Sequence, residues 1–268
     1  MKRRRLPHAA FLGFVALLYV FLLAPIAIVV IASLNAGRFL VFPPEGLSIQ
    51  WYVKFARSGP FVRSFFFSLR LAAVTTVIST VIGTAAALYV VRRARRSSLL
   101  RMVLVAPLQL PGIMTALALL IFYYAVGLGG GSYAGLLAGH VLVCMPYVFL
   151  TVSAVLYHFD RSLEEAARSL GAGSITTFRR ITLPIIKGGV ISGAVFAFIT
   201  SFDQFPISFL LSGVGTTTLP IQVFDYLRFS FDPTAAAVGT INILITLGVV
   251  ILTERLVGLE SLYWGGRQ

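Results

Sequence analysis

The chain has 268 residues, of which 58% are hydrophobic and only 12% are charged, and its formal net charge is +13. A soluble domain carries about a quarter charged residues, so this composition excludes an ordinary soluble protein and predicts a single membrane domain over residues 1–268. The positive charge does not indicate a nucleic-acid partner, because most of the basic residues are confined to short connections between apolar runs.

Six apolar runs are long enough to span a bilayer core of about 30 Å, which takes about 20 helical residues. The first run is too long for the apolar part of a signal peptide and lacks a convincing cleavage site, so we expect an uncleaved span. The sequence therefore predicts an all-α integral membrane protein with six transmembrane helices, at residues 9–34, 63–91, 102–126, 133–158, 185–212 and 235–257.

Several residues are expected to shape these spans. Pro25 lies inside the first span, which lipid-embedded helices tolerate. Pro107 and Pro111 predict a kinked or irregular start of the third span. Arg70 in the second span is expected either to face the bundle or to snorkel outward. Small residues in the same span permit close helix packing, namely Thr75, Thr76, Ser79, Gly83 and Thr84. Cys144, the only cysteine, excludes an internal disulfide and is expected to pack in the core.

The basic residues predict the orientation of the chain. They concentrate before the first span, in the loop 92–101 and in or beside the segment 160–184. Cytoplasmic loops are enriched in lysine and arginine, so both termini and these two loops are expected in the cytoplasm. The segments 35–62, 127–131 and 213–234 are then external, and the glycine run at 127–131 predicts a tight turn.

The segment 160–184, DRSLEEAARSLGAGSITTFRRITLP, is the longest polar interruption between apolar runs. Ser162 and Glu165 match a capping box, which predicts a helix that begins at Ser162. Gly171 is expected to end this helix in a left-handed conformation. Ser174 offers a second helix start, and Pro184 is expected to terminate that second helix. An ordinary helix–turn–helix loop would have each of these features.

The whole pattern resembles the EAA loop of ABC-type importer permeases. It comprises Glu165, Ala166 and Ala167, then Gly171, then Ile181, Leu183 and Pro184 at the spacing of that loop. The resemblance implies a type I ABC importer permease bundle, in which this loop forms a cytoplasmic coupling helix that docks on an ATPase. The ATPase-coupling residues would be Glu165, Ala166, Ala167, Gly171, Leu183 and Pro184.

The resemblance also implies partners. These are two ATPase subunits, a second permease that is normally a different chain, an external substrate-binding protein and the lipid of a bacterial inner membrane. Lys2, Lys54 and Lys187 are the only lysines, and none follows a glycine, so the chain has no phosphate-binding loop. We therefore expect no enzyme activity and no cofactor on this chain, with ATP and Mg²⁺ bound by a separate ATPase subunit.

Residues 196–213 and 218–220 resemble the putrescine/spermidine subgroup of these permeases, which implies a small amine-bearing solute. Related subgroups for iron, aminoethylphosphonate or 4-aminobutyrate share much of this background. Asp203 lies within the fifth span between Phe202 and Gln204, where an ionised carboxylate is costly. It is expected to line the substrate path, or else to pair with Arg70 or a neighbouring subunit. The subgroup often has two acids here, and Gln204 replaces the second.

Two other classes of function remain open from the residues alone. A gradient-driven secondary transporter would have inverted repeats and broken midplane helices, which the sequence does not reveal. An intramembrane enzyme would need a pair such as Ser132 and His140, but eight residues on one helix separate them by about 12 Å. His140 is about 27 Å from His158 on a straight helix, so we expect a hydrogen-bonded packing residue rather than a metal ligand.

Overall fold

A computed structural model describes residues 8–94 and 97–257 of the chain. These residues form helices and one isolated β-bridge, between Asn35 and Leu47. In chain order the helices are α1 (His8–Ser33), α2 (Gln50–Arg57), α3 (Gly59–Arg92), α4 (Ser98–Gln109), α5 (Gly112–Ala125), α6 (Tyr133–Tyr157), α7 (Ser162–Ser169), α8 (Ser174–Thr177), a π-helical turn (Phe178–Thr182), α9 (Leu183–Phe202), α10 (Phe205–Leu211), α11 (Leu219–Leu227) and α12 (Thr234–Val257).

Four of the six predicted spans agree with single helices in the described residues. Five helical segments there are long and apolar enough to cross a membrane, and a sixth span results if α4 and α5 are counted together. Helices α1, α3, α6 and α12 end within four residues of the predicted bounds. Three parts of the orientation prediction lie outside the described residues. They are the basic residues at positions 2–5, the pair Arg95 and Arg96 in the loop 92–101, and the tail after residue 257.

The third span is not one helix over 102–126, because the chain bends by 107° between α4 and α5. Leu110, which precedes Pro111, has the extended backbone that a following proline imposes (φ −88°, ψ 141°). Helix α4 also begins before the predicted start, because the Ser97 hydroxyl accepts a hydrogen bond from the Leu100 N–H at 3.3 Å. The predicted kink is therefore present, as a sharp bend immediately before Pro111.

The fifth span is also broken. Helix α9 ends at Phe202 and α10 begins at Phe205, so Asp203 and Gln204 interrupt the helix predicted over 185–212, with Gln204 in an extended conformation (φ −74°, ψ 96°); we call this interruption the corner. Pro206 occupies the first turn of α10, where a proline fits because its missing N–H has no partner to lose.

Pro184 does not terminate the second short helix, contrary to the prediction. Helix α8 begins at Ser174 as expected, but the chain continues through the π turn directly into α9. A proline inside an α-helix clashes with the carbonyl four residues before it, here Arg180. That residue lies in the widened π turn, and Pro184 itself lies in the first turn of α9. Residues 174–202 therefore form one helical rod.

Within the described residues, contacts define two compact units, the first made of residues 8–62 and 223–245 and the second of residues 63–94, 97–222 and 246–257. Asn35 organises the first unit: its side-chain oxygen accepts the Gly37 and Glu45 N–H groups at 3.1 and 2.9 Å, and its amide donates to the Phe39 carbonyl. The Trp51 indole donates to the Asn35 carbonyl at 2.7 Å. These bonds fix helix α2, which the sequence analysis did not anticipate.

Lys54 on α2 is held by a polar cluster in the same unit. Its ammonium group pairs with Asp232 and donates to the Tyr226 hydroxyl at 2.8 Å, and that hydroxyl donates to Asp232 at 2.6 Å. Burial alone would lower the pKa of Lys54, but these hydrogen bonds and the nearby carboxylate outweigh it and raise that pKa. Burial would likewise raise the pKa of Asp232, and its hydrogen bonds lower it instead.

The second unit has a core in which α6 and α9 cross at backbone contact. A Cβ atom on Gly189 would lie 2.9 Å from the Thr151 carbonyl oxygen, and one on Gly193 would lie 2.8 Å from the Val148 Cα. Gly83 of α3 meets Val148 in the same way, which confirms its predicted role in close packing. Cys144 is fully buried in this core, as expected.

Candidate functional site: the loop 160–184 and the corner at 203–204

Helix α7 begins differently from the predicted capping box. The Ser162 N–H donates to the Asp160 carboxylate at 2.9 Å, so the acceptor comes from two residues earlier and Ser162 already lies in the helix. Aspartate readily accepts from the backbone two residues ahead, which explains why it displaces the serine hydroxyl. This hydrogen bond holds the pKa of Asp160 below its usual range.

Helix α7 ends as predicted, at Gly171 in the left-handed region (φ +86°). The Gly171 N–H donates to the Arg168 carbonyl at 2.9 Å, and the Ala172 N–H donates to the Ala167 carbonyl at 3.0 Å. These two bonds form a Schellman motif, which satisfies carbonyls that the helix end would leave unpaired. A side chain at Gly171 would have space but would strain the backbone.

Helix α7 has two chemically different faces. Residues three and four apart share a face, so its charged residues Arg161, Glu164, Glu165 and Arg168 lie on one side. The opposite side carries Leu163, Ala166, Ala167 and Leu170. Leu163 and Leu170 are 45% and 90% exposed, and Ile175 in α8 is 75% exposed. An exposed apolar surface of this kind is typical of a docking site for another protein.

Glu164 anchors the charged face. It is only 6% exposed, pairs with Arg92 at the end of α3, and accepts a hydrogen bond from the Thr182 hydroxyl in the π turn. Arg168 lies 3.7 Å from its other oxygen. Arg161 donates to the Val91 carbonyl at 2.8 Å. The loop is therefore tied both to α3 and to the rod that leads into α9.

The six residues predicted for coupling do not share one surface. Glu165 lies on the charged face, whereas Ala166 and Ala167 lie on the apolar face. Gly171 forms the turn that ends α7. Leu183 packs against the core of the second unit, and Pro184 is exposed at the start of α9. Glu164 and its partners were not predicted from the sequence, in which the local signal was the four-residue spacing of Glu164 and Arg168.

The three residues predicted for the substrate path surround the corner between α9 and α10. Phe202 is buried, with its ring 5.9 Å from that of Phe198 in a stacked arrangement and 6.2 Å from that of Phe65. Asp203 is exposed and Gln204 is half-buried. Arg70 is exposed, and its Nε donates weakly to the Phe66 carbonyl at 3.4 Å. The corner thus carries an exposed carboxylate next to an aromatic cluster in which Phe202 is buried.

His140 of α6 braces this corner from behind. Its Nδ1 forms a hydrogen bond with the Ser201 hydroxyl of α9 at 2.9 Å, and its Nε2 with the Ser208 hydroxyl of α10 at 3.0 Å. All three side chains are buried. The predicted packing role is confirmed, and the two bonds join the helices on either side of Asp203. Ser132 instead accepts the Gly135 N–H at 3.0 Å as the cap of α6.

The two broken spans meet near their corners. A Cβ atom on Gly112, the first residue of α5, would lie 3.2 Å from the Pro206 side chain in the first turn of α10. A glycine at this position allows the start of α5 to approach the second corner closely. The backbone groups freed at each break need water, side chains or a solute as partners, which is how transmembrane helices accommodate irregular backbone.

The chain matches the model of the family described as binding-protein-dependent transport system inner membrane component, over residues 79–259. It is 37% identical over 239 residues to the putrescine transport system permease protein PotI of Escherichia coli (strain K12), covering 87% of this chain and 84% of PotI. It is 32% identical over 244 residues to the spermidine/putrescine transport system permease protein PotC of Haemophilus influenzae, covering 90% and 94% of the two chains.

Solved structures share the fold. A bacterial ABC transporter involved in the import of the acidic polysaccharide alginate matches with a TM-score of 0.64 at 18% identity, over 96% of this chain and 99% of that chain. The MetNI methionine ABC transporter, in an inward facing conformation, matches with a TM-score of 0.61 at 20% identity, over 75% and 98% of the two chains.

Proposed function

The chain belongs to the family of binding-protein-dependent transport system inner membrane components, and from this premise we propose that it forms half of the translocation path for a small amine-bearing solute such as putrescine or spermidine. It is a multi-pass membrane permease subunit of an ABC importer. The substrate proposal is carried by its identity to two polyamine permeases over most of its length. Family membership argues against a gradient-driven secondary transporter. A broken helix pair, one of the features expected of such a transporter, is nevertheless present.

Energy for transport would come from other subunits. Two ATPase subunits would bind ATP and Mg²⁺, a second permease of different sequence would complete the path, and an external binding protein would deliver the solute. The apolar face of α7, with Leu163, Ala166 and Leu170, would dock into a groove of the ATPase, because it is exposed and rigidly held through Glu164. Movement of this loop would then be transmitted along the rod 174–202 to the corner.

Asp203 would contribute to solute recognition at the corner. Inside a bilayer a carboxylate persists only with water, a cationic partner or a cationic solute group. An ammonium group meets this need, and the buried ring of Phe202 beside the corner would limit competing water. Gln204 would provide neutral hydrogen-bonding groups for the remainder of the solute.

Asp203→Asn is expected to lower putrescine uptake at least about tenfold, because one charge-assisted hydrogen bond is worth about 1.5–3 kcal/mol. The variant keeps the size of the side chain, so membrane insertion and assembly should be unchanged. Uptake of radiolabelled putrescine in cells, normalised to permease in the membrane, measures this effect. The matched control is Asp225→Asn, which removes an exposed carboxylate from α11.

Two other results would redirect the proposal. Impaired folding of Asp203→Asn that Arg70→Gln partly rescues would show a structural ion pair. Uptake of 4-aminobutyrate or aminoethylphosphonate, but not of putrescine, would support the importer function and replace the proposed solute. Wild-type uptake by Asp203→Asn would remove this carboxylate from the mechanism.

The proposed orientation in the inner membrane places both termini and the loop 160–184 in the cytoplasm. A cysteine at Ser98 should therefore resist a membrane-impermeant thiol reagent in intact cells, whereas one at Gly130 should react. Both positions are exposed, and the native Cys144 is fully buried and should not interfere. Ser98 is preferable to Ser97, whose hydroxyl caps α4. Labelling of Ser98→Cys but not of Gly130→Cys would show that the chain has the opposite orientation.

A further inference from the structure

The charged face of α7 and the end of α3 line a cavity of about 350 Å³ that is open on one side. Its charged lining consists of Arg92, Arg93, Arg161 and Arg168 together with Glu164 and Glu165. Four guanidinium groups against two carboxylates leave a net formal charge of +2 in a space large enough for a phosphate group.

The two carboxylates do not use all the N–H groups that the four guanidinium groups offer. Glu164 is already engaged by Arg92 and Thr182. Arg161 uses one N–H on the Val91 carbonyl, although a guanidinium has five. Arg93 makes no ion pair within residues 8–94 and 97–257. The cavity therefore retains N–H donors from both helices, and a guanidinium fork matches the oxygens of a phosphate in a bidentate fashion.

The cavity lies where a membrane helix ends. Arg92 is the last residue of α3, a candidate membrane span. Tyr89, one turn earlier, is 58% exposed at the rim of the cavity, and tyrosine is enriched at the boundary between lipid and water. Lipid phosphates occur at this depth, and basic residues beside a span attract anionic headgroups.

We propose that this cavity binds the phosphate of an anionic phospholipid headgroup, of the phosphatidylglycerol type. The phosphate would bridge Arg93, which directly follows α3, and Arg168 of α7, and so add a lipid-dependent connection beside the Glu164 ion pair. An acidic side chain of a partner protein is the less favoured occupant, because the cavity opens on the charged face of α7 and not on the apolar face with Leu163 and Leu170.

Native mass spectrometry of the purified transporter, titrated with phosphatidylglycerol or phosphatidylcholine, tests the site. We expect tighter binding of phosphatidylglycerol, weakened at least about tenfold by the double variant Arg93→Gln and Arg168→Gln. Both side chains are exposed, so the variant should fold. The matched control, Arg179→Gln and Arg180→Gln, removes two exposed charges from the same loop outside the cavity and should change binding less than twofold.

Further arms identify the occupant. Inorganic phosphate should not displace the lipid at equal concentration, and displacement would assign the cavity to free phosphate instead. Equal affinity for both lipids, or unchanged phosphatidylglycerol binding by the cavity variant, would overturn the proposal. Loss of ATPase copurification by the cavity variant, with lipid binding intact, would assign the cavity to an acidic side chain of that subunit.

Discussion

Replacing Glu164 by alanine is expected to abolish transport while the membrane spans still insert. Glu164 is nearly buried and neutralises Arg92, whose side chain is only 28% exposed. Breaking a buried pair by removing one partner costs about 3–5 kcal/mol, and the partial exposure of Arg92 places this case at the low end. Helix α7 has eight residues, too few to persist without tertiary contacts, so the whole loop should lose its order.

Trypsin digestion of the purified protein measures this loss directly, because Arg161 and Arg168 lie in the loop. Glu164→Ala should be cleaved there much faster than the wild type. Glu165→Ala is the matched control: it removes an exposed carboxylate from the same face, and it should weaken function without increasing cleavage. Equal cleavage of the two variants would contradict the anchoring role of Glu164.

His140→Leu should cause the second large effect. It leaves the buried Ser201 and Ser208 hydroxyls without their partner, and each unsatisfied group costs about 1–3 kcal/mol. We expect a lower unfolding temperature of the purified protein and loss of uptake, because the corner that carries Asp203 is no longer fixed.

A triple variant separates stability from positioning. His140→Leu combined with Ser201→Ala and Ser208→Ala removes every member of the network, so the unfolding temperature should recover. Uptake should remain low if the bonds hold the corner in its working geometry. Recovery of uptake together with stability would show that His140 only supports the fold.

The apolar runs predicted the spans well but could not reveal their breaks. Residues 205–211 are as apolar as those of α9, so the apolar run of span length continues beyond Asp203 and Gln204 and does not reveal the break. Pro111 indicated an irregularity, yet the angle between α4 and α5 depends on packing, including the approach of Gly112 to Pro206. A corner that is stabilised by distant residues leaves no periodic signal in its own sequence.

In the loop 160–184, likewise, local features could be predicted from the sequence and contacts with distant residues could not. Gly171 was predicted correctly because the left-handed helix end is a local requirement of the backbone. The role of Glu164 could not be predicted, since Arg92 and Thr182 lie 72 and 18 residues away in the chain. The capping box was wrong because two acceptors compete for the helix start, and Asp160 displaces the Ser162 hydroxyl.

The close crossing of α6 and α9 has a mechanical consequence. The rod 174–202 packs against α6 at Gly189 and Gly193, where the rod itself carries no side chain, so the crossing would act as a pivot. At 1.5 Å per residue, the arm toward Ser174 is about 22 Å long and the arm toward Phe202 about 14 Å. Tilting the rod about this pivot would shift the Asp203 corner in the direction opposite to the loop 160–184, by about two thirds of the distance that the loop moves. A bulky residue at Gly189 or Gly193 would displace this pivot, and so change how far the ends of the rod move without altering the residues at those ends.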